Sequence, residues 1–212
     1  MSKFTNLQGD DFEMVTKSNV HKLYLFLSAG IVGFAVVYGM FRDGSIVFHP
    51  LRTFTYQSNI LMAICFVLMA LIGNDKKIRH YLSISVLVAI TVTGLVYNFV
   101  LVPFTSSPMF YIGFVNFVTH ALSTLLAIIN YFAFEEKGYY HPRHIVVSMI
   151  FPAVYWVVFV SIGDIINWYP YFFMNPHSVG WVMVFVWLGI LLGTFALLSF
   201  LLMLFDRKNK NN

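Results

Sequence analysis

Six long apolar runs dominate the 212-residue sequence, and each is about as long as a membrane span: residues 23–41, 54–73, 81–102, 113–133, 145–163 and 180–205. A helix needs about 20 largely apolar residues to cross the hydrocarbon core of a bilayer. Backbone polar groups in hydrocarbon must pair within their own segment, so each run is predicted to be an α-helix. The alternating pattern of a transmembrane barrel is not seen. We therefore expect an all-α, six-helix integral membrane protein in which residues 1–212 form a single domain.

The composition excludes several classes of protein. Only 10% of the residues are charged and 59% are hydrophobic, whereas a soluble domain has about 25% and 45–50%. An ordinary cytosolic enzyme, a disordered chain and a nucleic-acid module are therefore excluded. The first run has full span length and follows a polar segment, which favours a retained helix over a cleaved signal peptide.

The basic residues predict an orientation. In a six-helix arrangement, eleven of the thirteen Lys and Arg residues fall in four segments on one side of the membrane: Lys3, Lys17 and Lys22; Lys76, Lys77 and Arg79; Lys137 and Arg143; Arg207, Lys208 and Lys210. Arg42 and Arg52 lie on the opposite side. Because basic loops stay on the cytoplasmic side, both termini are predicted to be cytoplasmic. The character of the chain favours a bacterial plasma membrane.

Polar side chains inside the apolar runs are costly, so function is sought there first. His120 is the only titratable group well inside a run apart from tyrosines and Cys65. The polar residues of four runs fall at a similar depth, in the outer half of the bilayer: Thr55, Ser58 and Asn59; Tyr97 and Asn98; Asn116, His120 and Thr124; Asp164 and Asn167. If these faces converge, they line one pocket. The lack of charged residues at mid-span argues against a cation-coupled transporter.

A hydroxyl and an imidazole in one pocket suggest nucleophilic chemistry. A threonine hydroxyl needs a base to remove its proton, and a neutral histidine is the usual base. Asn59, Asn98 or Asn116 could then donate a hydrogen bond to a developing oxyanion. On residue types alone, hydrogen bonds that merely join helices remain the alternative.

Three motifs resemble a known family: Phe54-Thr-Tyr-Gln-Ser-Asn-Ile-Leu61, Asn116-x-x-x-His120, and Trp156 followed by Trp168-Tyr-Pro-Tyr-Phe172. In order and spacing they are similar to the androgen-induced and androgen-dependent membrane hydrolases and their bacterial integral membrane relatives, over nearly the whole chain. The resemblance implies six helices and hydrolysis of fatty acid esters of hydroxy fatty acids or related lipid esters.

By this resemblance the nucleophile falls on Thr55 and the base on His120. Supporting or substrate-binding roles are expected for Ser58, Asn59, Asn98, Asn116 and Arg52. Arg52, at the pocket mouth, could hold a substrate carboxylate or serve as an interfacial anchor. Membrane lipids are the expected partners. We expect no nucleic-acid partner, because the basic residues fall in short clusters between apolar runs, and no organic cofactor, because no nucleotide or haem motif occurs. We expect no metal, because His141 and His144 have no third ligand nearby.

Several alternatives stay open. The animal proteins carry two histidines in the fourth helix, and aligning on the other one would place Ser123 at the position of the base. Thr53 is a rival for the nucleophile. The runner-up function is a non-enzymatic membrane protein that binds or transports a lipid or small solute through the same pocket.

Two loops are rich in turn residues and aromatics, residues 103–108 and 167–176. Trp and Tyr prefer the headgroup level, so the second loop is expected to lie along the outer membrane interface. Gly189 and Gly193 form a GxxxG pair, which is typical of close helix contacts, and we interpret it as packing within the bundle.

Overall fold

The computed structural model describes residues 2–72, 75–104 and 113–209, of which residues 2–17, 42, 76, 77 and 104 are described by their backbone alone. Most of the loop at 103–108 therefore lies outside the described residues. The main helices are α1 (Ser2–Met40), α2 (Phe54–Ile72), α3 (Lys76–Val96), α4 (Phe114–Phe134), α5 (Pro142–Ile162) and α6 (Trp181–Lys208). A π-helical turn, Tyr97–Leu101, continues α3. Between α1 and α2 lie a hairpin of two-residue strands, β1 (Phe41–Arg42) and β2 (Ser45–Ile46), and a 3₁₀ turn, His49–Arg52.

Each predicted run corresponds to one helix, so the all-helical prediction is confirmed. The described residues contain six helices long and apolar enough to cross a membrane, with mean hydropathy between 1.6 and 2.5. The largest difference from the predicted bounds is at the first span, which begins at Ser18, and the sixth span extends three residues further than predicted, to Lys208. Both additions are polar helical turns beyond an apolar run, which hydropathy alone does not detect.

Helix α3 is the centre of the bundle. It packs against α2, α4, α5 and α6, while α1 packs mainly on α2 and α5 mainly on α6. Its side chains from Val86 to Ile90 are all nearly inaccessible. This helix therefore fixes the positions of α2 and α4, which carry the residues of the predicted site.

Buried polar groups tie several helices together at one end of the bundle. At the start of α3, the Arg79 guanidinium donates to Glu135 Oε1 at 3.0 Å and to the carbonyl of Met69 at 2.8 Å. His21 Nδ1 of α1 lies 3.1 Å from the same guanidinium. Helices α1, α2 and α3 thus meet the segment after α4 here, at what we call the basic end.

Asp206 fastens α6 to the same end. Its carboxylate is fully buried and accepts three hydrogen bonds, from the hydroxyl of Tyr131 at 2.9 Å and from the N–H groups of Gly138 and Tyr140 at 2.8 Å each. Described residues of all four basic segments therefore lie at this end of the bundle, among them Lys22, Arg79, Lys137 and Arg207. Asp206 was not singled out from the sequence, because an acidic residue near the end of an apolar run is normally exposed to solvent at the end of a helix.

Part of the aromatic segment after α5 turns inward, while most of its other residues stay partly or fully exposed; whether the segment lies along the outer membrane interface stays a prediction. Phe173 and Met174 are 2% and 0% exposed, and they pack against Trp156 of α5. A short 3₁₀ turn, Phe172–Met174, directs these side chains into the bundle. Burial of large apolar side chains stabilises this position more than an interfacial one would.

The glycine pair in α6 does not serve bundle packing, contrary to the interpretation of its spacing. A Cβ placed on Gly189 or Gly193 would have no described atom within 4 Å. These glycines lie on the outer face of α6, so close packing within the described bundle does not explain them. Spacing alone cannot tell which face of a helix a small-residue pair occupies.

Candidate functional site

Thr55 and His120 are brought together in the half of the bundle opposite the basic end. Thr55 is the second residue of α2, and its Oγ1 lies 3.3 Å from Nε2 of His120 in α4. Both residues are buried, with 8% and 7% of their surface exposed. The pairing predicted from sequence depth is thus present as a direct contact within hydrogen-bonding distance.

The start of α2 explains why the hydroxyl of Thr55, and not that of Thr53, can take part in chemistry. Thr53 Oγ1 accepts a hydrogen bond from the N–H of Tyr56 at 3.4 Å and donates to the carbonyl of Pro50 at 2.8 Å. Its hydroxyl therefore caps the helix, as threonine commonly does. Two residues further along, the side chain of Thr55 is directed towards His120 of α4.

The neighbours of His120 fix its tautomer. Its Nδ1 lies 3.1 Å from the carbonyl oxygen of Asn116 and 3.0 Å from Oγ1 of Thr119. A carbonyl oxygen can only accept, so we assign the ring proton to Nδ1. Nε2 is then an acceptor, and it faces the Thr55 hydroxyl. Tyr97 stacks on the other side of the imidazole with ring centres 3.7 Å apart, which restrains the ring.

His120 lies in the middle of a π-helical turn, Val118–Leu122. Such turns are rare within α-helices and frequently occur at functional sites. Gly94 of α3 lies directly against this turn, since a Cβ built on it would be 2.8 Å from the His120 carbonyl oxygen. Helices α3 and α4 therefore approach closely near His120, and the glycine permits that approach.

Replacing Gly94 by alanine is expected to push α3 and α4 apart. The added methyl would meet backbone and not a flexible side-chain end, so the cost should be about 1–3 kcal/mol of stability. Thermal unfolding of the purified protein in detergent checks this. Gly189→Ala is the matched control, because its added Cβ meets open space. Equal unfolding temperatures for the two variants would contradict the close approach.

A cavity begins at Thr55. It contains about 540 Å³ of empty space, including the part open to the surroundings, and lies between α2, α3, α5, α6 and the inward-turned segment. Its wall is mostly apolar, and its hydroxyl-bearing residues are Thr55, Thr93, Tyr155 and Tyr171. His120 is not part of the wall. Thr55 thus lines the cavity, and its Oγ1 contacts an imidazole that lies behind the wall.

The phenol of Tyr171 lies beside Thr55 in the cavity wall. Its oxygen accepts a hydrogen bond from the N–H of Phe54 at 3.1 Å and interacts with the N–H and hydroxyl of Thr55. Burial raises the pKa of Tyr171, so the phenol keeps its proton at physiological pH. The sequence included Tyr171 in an aromatic motif but assigned it no role, because the inward turn of its segment was not foreseen.

Ser58 and Asn59 support the site without entering the cavity. The Asn59 amide donates to the carbonyl oxygens of Thr55 at 2.8 Å and Thr119 at 3.0 Å, which joins α2 to α4. Ser58 Oγ lies 3.0 Å from Oγ1 of Thr93 and thereby joins α2 to α3. Both side chains are buried and hold helices in place. The Asn59 amide, one of the three candidates for an oxyanion donor, is thus engaged between two helices.

Asn98, Asn116 and Arg52 are not part of the cavity wall. The exposed Asn98 side chain donates to the carbonyl of Gly94 in its own helix at 2.8 Å, so it is not part of the site. Asn116 contributes its backbone carbonyl to His120. Arg52 is exposed with its guanidinium 5.9 Å from the ring centre of Trp168, and it does not line the cavity.

Two further sequence alternatives can be compared with the structure. Ser123, the other candidate for the position of the base, is buried, and its hydroxyl has no hydrogen-bond partner among the described residues. The imidazole of His144 accepts a hydrogen bond from the N–H of His141 at 2.8 Å and so caps the start of α5. In the described part of the chain, no group of three or more His, Cys, Asp or Glu side chains could hold a metal ion.

Comparison with known proteins gives no relative for this chain. No protein-family model matches it, and neither a curated protein nor a solved structure does. The resemblance noted from the motifs is therefore untested by these comparisons. What the site does has to be argued from its geometry.

Proposed function

We propose that the protein is an intramembrane hydrolase of lipid esters in which Thr55 is the nucleophile and His120 the general base. The observation that carries this proposal is the 3.3 Å contact between Thr55 Oγ1 and His120 Nε2 at the wall of an apolar cavity. A nucleophile, a base within reach and a third group that orients the base are the usual parts of such a site. Here the third group is the carbonyl of Asn116.

The reaction follows from these positions. Thr55 Oγ1 forms a bond to the acyl carbon while its proton passes to His120 Nε2, and the carbonyl electron pair moves to the carbonyl oxygen. When the ester C–O bond breaks, His120 returns the proton to the leaving alcohol oxygen. Water then attacks the acyl-threonine with His120 again as base, which releases the fatty acid and restores Thr55.

The cavity suits an acyl chain. Its wall is mostly aliphatic and aromatic, which is the usual lining of a site for an apolar ligand. An ester with a long hydrocarbon chain would bury that chain here. Fatty acid esters of hydroxy fatty acids, which the sequence resemblance implies, belong to this class, and membrane lipids would be the source of substrate.

The proposal includes an orientation. The basic segments adjoin one end of the bundle, and Thr55 lies in the opposite half. By the distribution of basic residues, the basic end and both termini face the cytoplasm, and the site lies in the outer half of the bilayer. A bacterial plasma membrane is the proposed location. The reaction needs neither a metal nor an organic cofactor.

Covalent labelling tests the proposal. The full-length protein in detergent is treated with a fluorophosphonate, which phosphonylates activated hydroxyls, and the adduct is located by tandem mass spectrometry. We expect the label on Thr55. Label on Thr53 or on a serine, or no label at all, would contradict the assignment.

The second candidate is a protein that binds or transports a lipid without reacting with it. What favours it is that none of the three asparagines expected to stabilise an oxyanion lines the cavity. Native mass spectrometry can distinguish the two functions. Lipid bound to a protein that the fluorophosphonate does not label would support binding, whereas label on Thr55 supports hydrolysis.

A further inference from the structure

Attack by Thr55 on an ester requires a hydrogen-bond donor for the oxygen that becomes negative. In an apolar cavity an unpaired oxyanion would be very unfavourable, and such donors are often the largest single contribution to catalysis. The amide of Asn59 is engaged between helices, and Asn98 lies outside the site. The donor must therefore be another polar group of the cavity wall near Thr55.

The surroundings of the Tyr171 oxygen leave its proton available. A phenol oxygen has two acceptor positions and one donor proton. The N–H of Phe54, the first residue of α2, donates to the oxygen at 3.1 Å, and the N–H of Thr55 lies next to it. Because these N–H groups occupy the lone pairs of the oxygen, the O–H group is what remains to form another hydrogen bond. Its polar neighbours are the hydroxyls of Thr55 and Tyr155. The hydroxyl of Tyr155 itself donates to the carbonyl of Arg52 at 3.0 Å.

Packing keeps Tyr171 in this position. Its ring stacks on Phe173 with ring centres 5.2 Å apart and an angle of 9°. Its carbonyl accepts a hydrogen bond from the N–H of the fully buried Met174 at 3.0 Å. The phenol is therefore positioned before a substrate arrives, which is the condition for effective stabilisation of a transition state.

We propose that Tyr171 is a catalytic residue whose O–H group donates a hydrogen bond to the carbonyl oxygen of the ester as Thr55 attacks. The inference rests on the proposed hydrolase function and adds to it the oxyanion donor. The proton stays on Tyr171 throughout, so the proton transfers between Thr55, His120 and the leaving alcohol are unchanged. The two N–H groups at the start of α2 act through the phenol, because donation to its oxygen strengthens the O–H as a donor.

The test is the rate of hydrolysis of p-nitrophenyl octanoate by the full-length protein in detergent. Tyr171→Phe keeps the ring and removes the donor, and we expect kcat to fall about 10²-fold, the usual effect of losing one oxyanion donor. KM should change by less than about twofold, since the bond forms mainly in the transition state. Tyr169→Phe is the matched control in the same segment, because its hydroxyl donates to the exposed Asp164; its kcat should equal that of the wild type.

The outcomes separate the two proposals. If the wild-type protein neither hydrolyses the ester nor takes up the fluorophosphonate on Thr55, the hydrolase function fails. If the wild type is active and Tyr171→Phe keeps its kcat, or loses only affinity for the ester, Tyr171 is not the donor and the hydrolase function stands.

A second variant covers the case in which Tyr171→Phe does not fold. Incorporation of 3-fluorotyrosine at position 171 keeps the hydroxyl and the ring but makes the phenol more acidic and a stronger donor. We expect a higher kcat at neutral pH. An unchanged or lower kcat would overturn the role of Tyr171.

Discussion

Replacing Thr55 by alanine is expected to lower both ester hydrolysis and fluorophosphonate labelling by at least about 10⁴-fold, in line with the loss of nucleophiles in other hydrolases. The reason is that Thr55 is the hydroxyl of the cavity wall that contacts a histidine nitrogen. Thr93, which also lines the cavity, instead donates to the carbonyl of Ala89 at 2.9 Å and lies 3.0 Å from the hydroxyl of Ser58. The measurement is the initial labelling rate of the purified full-length protein.

Two variants make the Thr55 experiment specific. Thr55→Ser keeps a hydroxyl at the same position and should retain much of the labelling. Thr53→Ala removes a threonine two residues away whose hydroxyl caps α2. It should cost about 1 kcal/mol of stability but leave labelling in place. Full labelling of Thr55→Ala, or loss of labelling in Thr53→Ala alone, would show that the nucleophile has been misassigned.

Replacing His120 by alanine is expected to lower kcat by about 10³-fold, within the range for loss of a general base. Without the imidazole, the proton of Thr55 has no acceptor at Nε2, and the polar atoms of Asn116 and Thr119 that orient the ring lose their partner. Added imidazole should restore part of the rate if it can enter the vacated space. Hydrolysis of p-nitrophenyl octanoate measures both effects.

The control for His120 is His177→Ala. His177 is exposed, and its Nε2 lies 2.7 Å from the exposed Asp164. This substitution also removes an imidazole, but away from Thr55, so kcat should be unchanged. A His120→Ala protein that folds and hydrolyses the ester at the wild-type rate would exclude a base at this position. The hydroxyl–imidazole contact would then be an ordinary link between helices.

The sequence was sufficient for the helices and for the central pair of residues. Hydropathy predicts spans well because hydrocarbon leaves the backbone almost no alternative to a helix. Depth could be counted from the ends of the spans at 1.5 Å per residue, which placed Thr55 and His120 at one level. The structure shows these two side chains in contact.

The roles of the other polar residues could not be predicted, because depth does not fix the rotation of a helix. Asn98 has a suitable depth but faces outwards, and Asn59 uses its amide to join two helices. The π-helical turn at His120 changes the rotation of α4 within a few residues, and no simple pattern in the sequence marks it. Tyr171 was missed for a different reason: its place depends on a loop that turns inward, and loop paths are set by tertiary packing.

The position of His120 behind Thr55 has a consequence for inhibition. Thr55, the proposed nucleophile, is part of the cavity wall, whereas the imidazole of His120, the proposed base, is not. An electrophile that reacts with oxygen, such as a phosphonate or a carbamate, meets its target at the cavity wall. An alkylating agent selective for imidazole has to displace Thr55 first. Useful inhibitors should therefore be analogues of the ester substrate that carry an oxygen-reactive group on a hydrocarbon chain. Their selectivity should be determined by that chain.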